Sequence, residues 1–210
     1  MKRREVLKNL GLGAGYVVAA PSIFSLLQSC TNEPNWQPVF FTESNGYALT
    51  KVLDIIIPKD DTPGAGELNI AKFLDSYMDE VATPEEQDEF KARANAFAIN
   101  FKSQFDNDVV DGKDEDFKKI VDKYLGAEPE QREGYIKRLS AKQDPEKPND
   151  EIDTEASSYA YLTDIRDKAI WAWKTSEQVG ENVLWYDPVP GTYQGCLSLS
   201  EAGNGKVMSL

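Results

Sequence analysis

Two adjacent carboxylates, Asp60 and Asp61, are the side chains of this sequence that most resemble an acid–base or metal-binding pair. They lie in the run PKDDTPGAG, which extends from Pro58 to Gly66. Adjacent side chains on a loop usually point apart, and Asp before Thr-Pro-Gly is typical of a turn. The sequence therefore favours a turn here. A hydrolase that uses acidic pairs is a further hypothesis, and it requires two carboxylates roughly 5 to 9.5 Å apart across a cleft.

The sequence contains no histidine, and this absence excludes several kinds of catalytic and metal site. The chain has no imidazole for a general base or a metal site, and it cannot hold a c-type haem through Cys-x-x-Cys-His. Cys30 and Cys196 are too few for a disulfide framework, a zinc site of cysteines or an iron–sulfur cluster. No basic residue near Cys196 in the sequence would activate its thiol, so we expect a small buried hydrophobic residue there. We expect no catalytic residue, cofactor site or metal site in this chain.

The first 29 residues are typical of a processed export signal. Arg3 and Arg4 match the twin-arginine pattern, with a lysine following at Lys8, and the run from Leu10 to Leu27 carries no charge. Glycines and Pro21 interrupt this run, so it is a poor membrane-spanning helix.

Leu27 to Cys30 resembles a lipobox, in which the cysteine thiol is acylated and becomes the new N-terminus. Ordinary signal peptidase would cut after Ala20, but Pro21 disfavours that site, and an uncleaved anchor helix is the other alternative. We expect lipidation of Cys30, which would hold the chain at a membrane surface because each buried methylene contributes roughly 0.8 kcal/mol.

The charge balance limits the partners of the chain. Its 210 residues include 23 basic and 36 acidic side chains, a formal charge of −13. Without residues 1–29 there remain 19 basic and 35 acidic side chains, a charge of −16. We expect no nucleic-acid partner, because phosphate binding needs basic patches and the acidic surplus opposes them.

Hydrophobic periodicity predicts an all-α protein, a small irregular bundle of five to six helices. Thr83 and Pro84 predict a capped start for the third helix, which we expect to pair antiparallel with the second, and Gly180 predicts the end of the sixth. The stripes are Leu49, Val52, Leu53, Ile56 and Ile57; Ile70, Phe73, Leu74, Tyr77, Met78 and Val81; Phe90, Ala94, Phe97, Ala98, Phe101 and Phe105; Ile120, Val121, Tyr124 and Leu125; Tyr135, Ile136 and Leu139; and Leu162, Ile165, Ala169 and Trp173.

The same patterns predict the domain organisation. After the signal peptide at 1–29 we expect a tether at 30–45, a helical domain at 46–198 and a flexible tail at 199–210. A mobile charged linker at 140–155 interrupts the domain, and its C-terminal part is an ordered coil rich in proline and glycine. The acidic run 106–116 lacks the ligand spacing of a calcium loop, so we expect a solvated loop.

Two segments together resemble the gluconate 2-dehydrogenase subunit 3 family. The first is DIIIPKDDTPGA at 54–65, and the second, at 175–196, closes a helix with Thr-Ser-Glu and continues as LWYDPVPGTYQGC. The resemblance implies a small helical accessory subunit of a cell-envelope dehydrogenase. Its partner would be a large flavoprotein of the glucose-methanol-choline type that holds FAD, and in some complexes a c-type multihaem cytochrome carries haem as a third subunit.

The resemblance implies that this chain is an escort. It would export a folded flavoprotein by the twin-arginine route and anchor it at a periplasm-facing membrane surface. The candidate docking residues come from the two segments: Pro58, Asp60, Asp61, Thr62, Pro63, Gly64, Ser176, Glu177, Trp185, Tyr186, Pro188, Pro190, Gly191 and Tyr193. Aromatic side chains mark both cores and interfaces, so for Trp171, Trp173, Trp185, Tyr186 and Tyr193 both interpretations remain open. A free-standing envelope lipoprotein that binds a carbohydrate or another small ligand is the alternative.

Overall fold

The computed structural model describes residues 36–142, 152–187, 189, 191–192 and 195–209, and in this part the chain forms eight α-helices. Their bounds are α1 Glu43–Ile56, α2 Ile70–Glu80, α3 Pro84–Phe105, α4 Asp114–Leu125, α5 Pro129–Lys142, α6 Thr154–Thr175, α7 Glu177–Asn182 and α8 Leu199–Gly203, with a 3-10 helix at Val109–Asp111. The described residues contain one isolated β-bridge, between Trp185 and Met208. The predicted all-α class is confirmed, with six long helices and two short ones.

Capping side chains precede α1, α3 and α6, among other helices. The Thr42 hydroxyl accepts the amide of Asn45 at 3.2 Å before α1, and the carboxylate of Asp153 accepts the amide of Ala156 at 2.9 Å before α6. Thr83 and Glu86 form a reciprocal capping box before α3, whose first residue is Pro84. These side chains satisfy amides that have no partner within the helix, so the helix starts follow from local sequence.

Helix α6 lies at the centre of the fold, and α1 to α5 and α7 all contact it. Its apolar stripe contributes Leu162, Ile165 and Ala169 to the core, where each side chain is fully buried. Tyr161 of the same helix packs between two rings of α3, with centroid distances of 5.2 Å to Phe90 and 5.3 Å to Phe97. The long helix at the end of the domain therefore organises the elements that precede it.

The predicted antiparallel pair of α2 and α3 is wrong, because α3 packs mainly on α6, and α2 packs on α6 and α1 about equally. Helix α3 places Phe90 and Phe97 against Tyr161, and α2 also packs on α1. An apolar stripe shows that a helix has an inner face, but it does not show which helix covers that face.

The predicted solvated loop at 106–116 is in part a packed turn. Val109 of the 3-10 helix is buried, and a Cβ at Gly112 would lie 2.5 Å from the ring of Phe101. Phe101 in turn packs against Phe117, with ring centroids 4.8 Å apart. The glycine is therefore required by the close approach of two aromatic rings, while Asp108 remains exposed and pairs with Lys102 at 2.9 Å.

A buried hydrogen-bond network joins α3, α4 and α6. The amide of Asn100 donates to the hydroxyl of Tyr124 at 2.7 Å and to that of Ser158 at 2.9 Å. Ser158 donates onward to the carbonyl of Thr154 at 2.6 Å. Because every one of these buried groups has a partner, the network specifies how three helices meet without leaving an unpaired polar atom among them.

Asp75 on α2 holds the chain that precedes α1. Its carboxylate is 1% exposed and accepts three successive backbone amides, from Val39 at 2.7 Å and from Phe40 and Phe41 at 3.0 Å each. The rings of Phe40 and Phe41 pack around Phe90 of α3. The packed domain therefore begins within the segment expected to be a tether.

Three other boundaries differ from the sequence-based expectations. Helix α6 ends at Thr175, not near Gly180, because the Ser176 side chain accepts the amide of Val179 and starts α7. The expected linker at 140–155 is shorter at both ends, because α5 continues to Lys142 and α6 already begins at Thr154. Residues 143–151 lie outside the described part. In the expected tail, Met208 pairs with Trp185 and α8 forms a short helix.

Candidate functional site

The loop between α1 and α2 carries the two predicted carboxylates. Asp60 accepts the backbone amide of Thr62 at 2.7 Å and its hydroxyl at 2.8 Å. These two hydrogen bonds hold the pKa of the Asp60 carboxyl below its usual value. The Asp60 carboxylate thus stabilises the turn that the sequence favoured, while Asp61 is exposed beside it.

Glu67 closes the other half of the same loop. Its carboxylate pairs with the ammonium of Lys59 and accepts the amide of Gly64 at 3.2 Å, and both contacts lower its pKa. Since the pKa of Glu67, like that of Asp60, is lower in the folded chain, these bonds stabilise the loop above the ordinary carboxylate pKa. The stabilisation is lost as the pH falls through the lowered values. A Cβ at Gly64 would lie 2.8 Å from the nitrogen of Lys59, so this tight turn requires glycine.

Trp173 joins this loop to the central helix. Its indole N–H donates to the carbonyl of Pro63 at 2.8 Å across 110 residues of sequence. The carbonyl of Trp173 accepts the hydroxyl of Ser176, 2.8 Å away, where α6 ends and α7 begins. The structure therefore brings the two sequence segments 54–65 and 175–196 to the same end of α6.

We expect Trp173→Phe to lower the free energy of unfolding by about 1 kcal/mol, because the Pro63 carbonyl loses its donor. Trp171→Phe is the matched control, since it removes the same indole ring two residues away, at an exposed position of α6. Urea unfolding followed by circular dichroism measures both variants. Equal losses would show that ring size and not the hydrogen bond holds the loop.

The predicted docking residues in the C-terminal segment divide into two groups. Trp185 is half-buried, its ring lies against Gly203 of α8, and its backbone pairs with Val207 and Ser209 at 2.8 Å each. Trp185 thus holds the C-terminal segment in place. Tyr186 is instead 50% exposed and lines a shallow groove. Lys174, Ser176 and Glu177 contribute to the same groove.

Several predicted residues have other outcomes. Pro188, Pro190, Tyr193 and the export and lipidation residues Arg3, Arg4 and Cys30 lie outside the described residues. Pro58 and Gly191 are exposed. The expectation that Cys196 is buried is wrong: it is exposed, with a left-handed backbone at φ 61°. An exposed bend after α7 places this residue away from the core, which residue type alone could not show.

Sequence reasoning missed a cluster of partly exposed aromatic side chains between α2 and α6. The ring of Trp171 lies 5.5 Å from that of Phe73 and 5.4 Å from that of Tyr77. Phe73 was predicted as part of the inner stripe of α2, yet it is 41% exposed. The available signal was the width of that stripe, because apolar residues at 70, 74 and 78 already fill one face.

The described residues were also compared with the requirements of a metal site and of a membrane-spanning helix. Among them, no three His, Cys, Asp or Glu side chains are grouped in a way that could hold a metal ion. A search of the helices in this part of the chain found none with the length and apolar character of a transmembrane span.

Comparison with known proteins identifies the family. The family model for Gluconate 2-dehydrogenase subunit 3 matches residues 43–191, which are 149 of the 210 residues. The match begins at the first residue of α1 and includes the Pro58–Gly64 loop, α6 and the Pro/Gly-rich segment that follows α7. No curated protein and no solved structure matches the chain. Since the matched residues are more than half of the chain, and include the segment 54–65 and residues 175–191 of the second segment, the chain belongs to the gluconate 2-dehydrogenase subunit 3 family.

Proposed function

We propose that this chain is the non-catalytic small subunit of a cell-envelope dehydrogenase, and that it escorts, exports and anchors a flavin-dependent catalytic subunit of the glucose-methanol-choline type. The observation that carries the proposal is the family match over residues 43–191, because the family's name describes one subunit of a larger enzyme. A sequence without histidine and with a twin-arginine leader is consistent with a subunit that supports chemistry done elsewhere.

The proposal assigns one task to each partner. The flavoprotein binds FAD while it folds in the cytoplasm, and the small subunit supplies the export signal through Arg3 and Arg4. The folded pair then crosses the membrane together. A c-type cytochrome as third subunit would receive the electrons, which this chain has no residues to carry.

Cys30 supplies the anchor in this proposal. Acylation would place lipid chains at the N-terminus of the mature protein, and several chains together hold a protein stably at a bilayer surface. The domain that Asp75 closes begins at Val39, so only the eight residues 31–38 would separate Cys30 from the packed domain. At about 3.3 Å per extended residue they would reach at most roughly 26 Å, which would keep the enzyme close to the periplasm-facing membrane surface.

A second candidate function is a free-standing envelope lipoprotein that binds a carbohydrate or another small ligand. The exposed ring of Tyr186 beside the groove at the α6–α7 junction favours it, because aromatic faces pack on sugar rings. Calorimetry on the isolated chain separates the two functions, since an escort should show no affinity for sugars without its partner.

The test measures how much flavin the captured chain carries and in which cell fraction the dehydrogenase activity lies. We expect the tagged full chain, captured from its own detergent-solubilised membranes, to carry a flavoprotein in equal amount, measured by fluorescence of the released flavin. Replacing both Arg3 and Arg4 with lysine keeps the charge but removes the twin-arginine signal, and should leave the dehydrogenase activity in the cytoplasm. Cys30→Ser should leave the activity soluble.

Two substitutions serve as controls in the same experiment. Lys2→Arg conserves charge beside the arginine pair, and Cys196→Ser removes the other cysteine, so neither should move the activity. Recovery of the chain as a lone monomer from native membranes would overturn the proposal. So would correct export of the flavoprotein in cells that lack this chain.

A further inference from the structure

The sequence contains two Asn-Gly pairs, Asn45 with Gly46 and Asn204 with Gly205. Asparagine followed by glycine is prone to spontaneous deamidation, because glycine has no side chain to hinder the approach of its amide nitrogen to the asparagine side chain. Asparagine is accordingly one of the thermolabile residues of proteins. Both pairs share this chemistry, so the fold decides which of them reacts.

Asn204 and Gly205 lie in the turn that follows α8, which we call the Asn204 turn and define as residues 203–206. The carbonyl of Gly203 accepts the amide of Lys206 at 2.9 Å, and φ is 52° at Asn204 and 78° at Gly205. Positive φ at both central residues is the pattern of a type I′ turn, which Asn-Gly favours. Asn204, Gly205 and Lys206 are all exposed, and a Cβ at Gly205 would meet nothing within 4 Å.

The nitrogen that would attack is accessible in the Asn204 turn. In the part of the chain that the structure describes, the Gly205 amide donates to no backbone carbonyl. The amide bond from Lys206 to Gly203 and a contact of 3.5 Å from the Lys206 ammonium to the carbonyl of Asn182 hold the turn. The chain can therefore reach the geometry of ring closure by opening only a small, exposed part of the fold.

The other pair lies in the first turn of α1 and is protected there. The amide of Gly46 donates to the carbonyl of Thr42 at 2.8 Å, and the amide of Asn45 donates to the Thr42 hydroxyl at 3.2 Å. Gly46 is buried, and the helix continues directly into Ala48 and Leu49 of the core. Rotation of the Gly46 nitrogen toward the Asn45 side chain would break the capped start of this helix.

We propose that Asn204 is a site of spontaneous deamidation in the folded protein, with isoaspartate as its main product, and that Asn45 is not. The Gly205 amide gives its proton to solvent, and its nitrogen forms a bond to Cγ of Asn204. The bond from Cγ to the side-chain nitrogen breaks, and ammonia leaves after taking up a proton, which produces a five-membered succinimide. Water then adds to one of the two ring carbonyls and opens the ring to aspartate or isoaspartate. No group is oxidised or reduced, and water is the only co-reactant.

Isoaspartate would alter the segment that Trp185 holds. It adds one carbon to the main chain between residues 204 and 205, so the hydrogen bond from Lys206 to Gly203 would no longer close the same turn. Directly after the turn, the carbonyl of Val207 and the amide of Ser209 pair with the backbone of Trp185 at 2.8 Å each. Deamidation should therefore loosen the C-terminal segment from Trp185.

The first experiment ages the purified full chain in mildly alkaline buffer at physiological temperature and follows both pairs by mass spectrometry of their peptides. Each conversion replaces the mass of ammonia by that of water, and isoaspartyl methyltransferase labels the isoaspartate. We expect Asn204 to convert at least about tenfold faster than Asn45, because opening free energies rise from near zero in exposed turns toward the global value in packed helices. Asn204→Gln should form no isoaspartate at position 204, since the longer side chain closes its ring much more slowly.

The same measurement in urea removes the contribution of the fold. Both asparagines then precede a glycine in an unfolded chain, so we expect them to convert at similar rates.

The second experiment tests the consequence for the Trp185 segment. Trypsin should cleave after Lys206 faster in the aged chain than in the fresh chain. The matched control is freshly prepared Asn204→Asp, which adds the same negative charge without the additional main-chain carbon. This variant should be cleaved at the rate of the fresh wild-type chain.

Faster conversion of Asn204 in the folded chain together with similar rates in urea supports the inference. Equal rates in the folded chain, no conversion at Asn204, or a difference that persists in urea overturns it, because the fold would then not select the site. Equal cleavage of aged and fresh chains overturns the consequence for the Trp185 segment. None of these measurements requires a partner subunit, so their outcomes are independent of the proposed function.

Discussion

Asp75→Ala is expected to lower the free energy of unfolding by about 3 kcal/mol, because three backbone amides, that of Phe41 buried and those of Val39 and Phe40 partly buried, lose the carboxylate that accepts them. Each unsatisfied buried donor costs about 1 to 3 kcal/mol, and movement of the chain at Val39 to Phe41 into water recovers part of that loss. This movement would also remove Phe40 and Phe41 from Phe90. Urea unfolding measures the stability, and proteolysis near residue 40 detects the released segment.

Two substitutions define what the carboxylate contributes. Asp75→Asn keeps one carbonyl oxygen for the amides of Phe40 and Phe41, but it turns an NH₂ group toward Val39, so the loss should be smaller than in the alanine variant. Asp79→Ala, an exposed position on the same helix, should cost less than about 0.5 kcal/mol. Equal stability of Asp75→Ala and Asp79→Ala would contradict the role assigned to Asp75.

Phe101→Ala is expected to cost about 3 to 5 kcal/mol, the range for removing a fully buried phenylalanine ring. The ring lies 4.8 Å from those of Phe105 and Phe117 between centroids, and it also rests against Gly112. Its removal leaves a cavity where α3, α4 and the 3-10 helix meet. Because domains are stable by only about 5 to 15 kcal/mol, the loss should be visible as a much lower urea midpoint.

Ile99→Ala is the control for Phe101→Ala, because Ile99 lies on the same helix but is 54% exposed. We expect it to cost less than about 1 kcal/mol. Phe101→Leu should fall between the two, since leucine fills part of the space. A Phe101→Ala variant as stable as Ile99→Ala would mean that the junction between α3 and α4 is not closely packed.

These two residues differ in how far the sequence could predict them. Phe101 belongs to a stripe that includes Phe90, Ala94 and Phe97, and the period of that stripe places it on the inner face of α3. Asp75 lies between Leu74 and Ser76 on α2, where an acidic residue is most simply read as exposed. Its carboxylate can be buried because it accepts backbone amides from a chain segment more than thirty residues earlier.

The candidate site shows the same division. Turn chemistry in the sequence predicted that Asp60 would cap its own loop, and the hydrogen bonds to Thr62 confirm it. The period of α6 predicted that Trp171 and Trp173 face different directions, and they do. Which of them is exposed depends on where α2 and the Pro58–Gly64 loop pack, so no local pattern could assign Trp171 to the surface.

By itself, the sequence determined the all-α class, the capped start of α3, the turn at Asp60 and the family, because capping, periodicity and turn geometry act over a few residues and motifs remain readable without coordinates. Only the tertiary structure decided that α6 is the central helix, that Asp75 is buried and that Phe73 and Trp171 form an exposed surface. These features depend on contacts between residues distant in sequence. A hydrophobic stripe requires a covering partner, but it leaves open which partner covers it and where that cover ends.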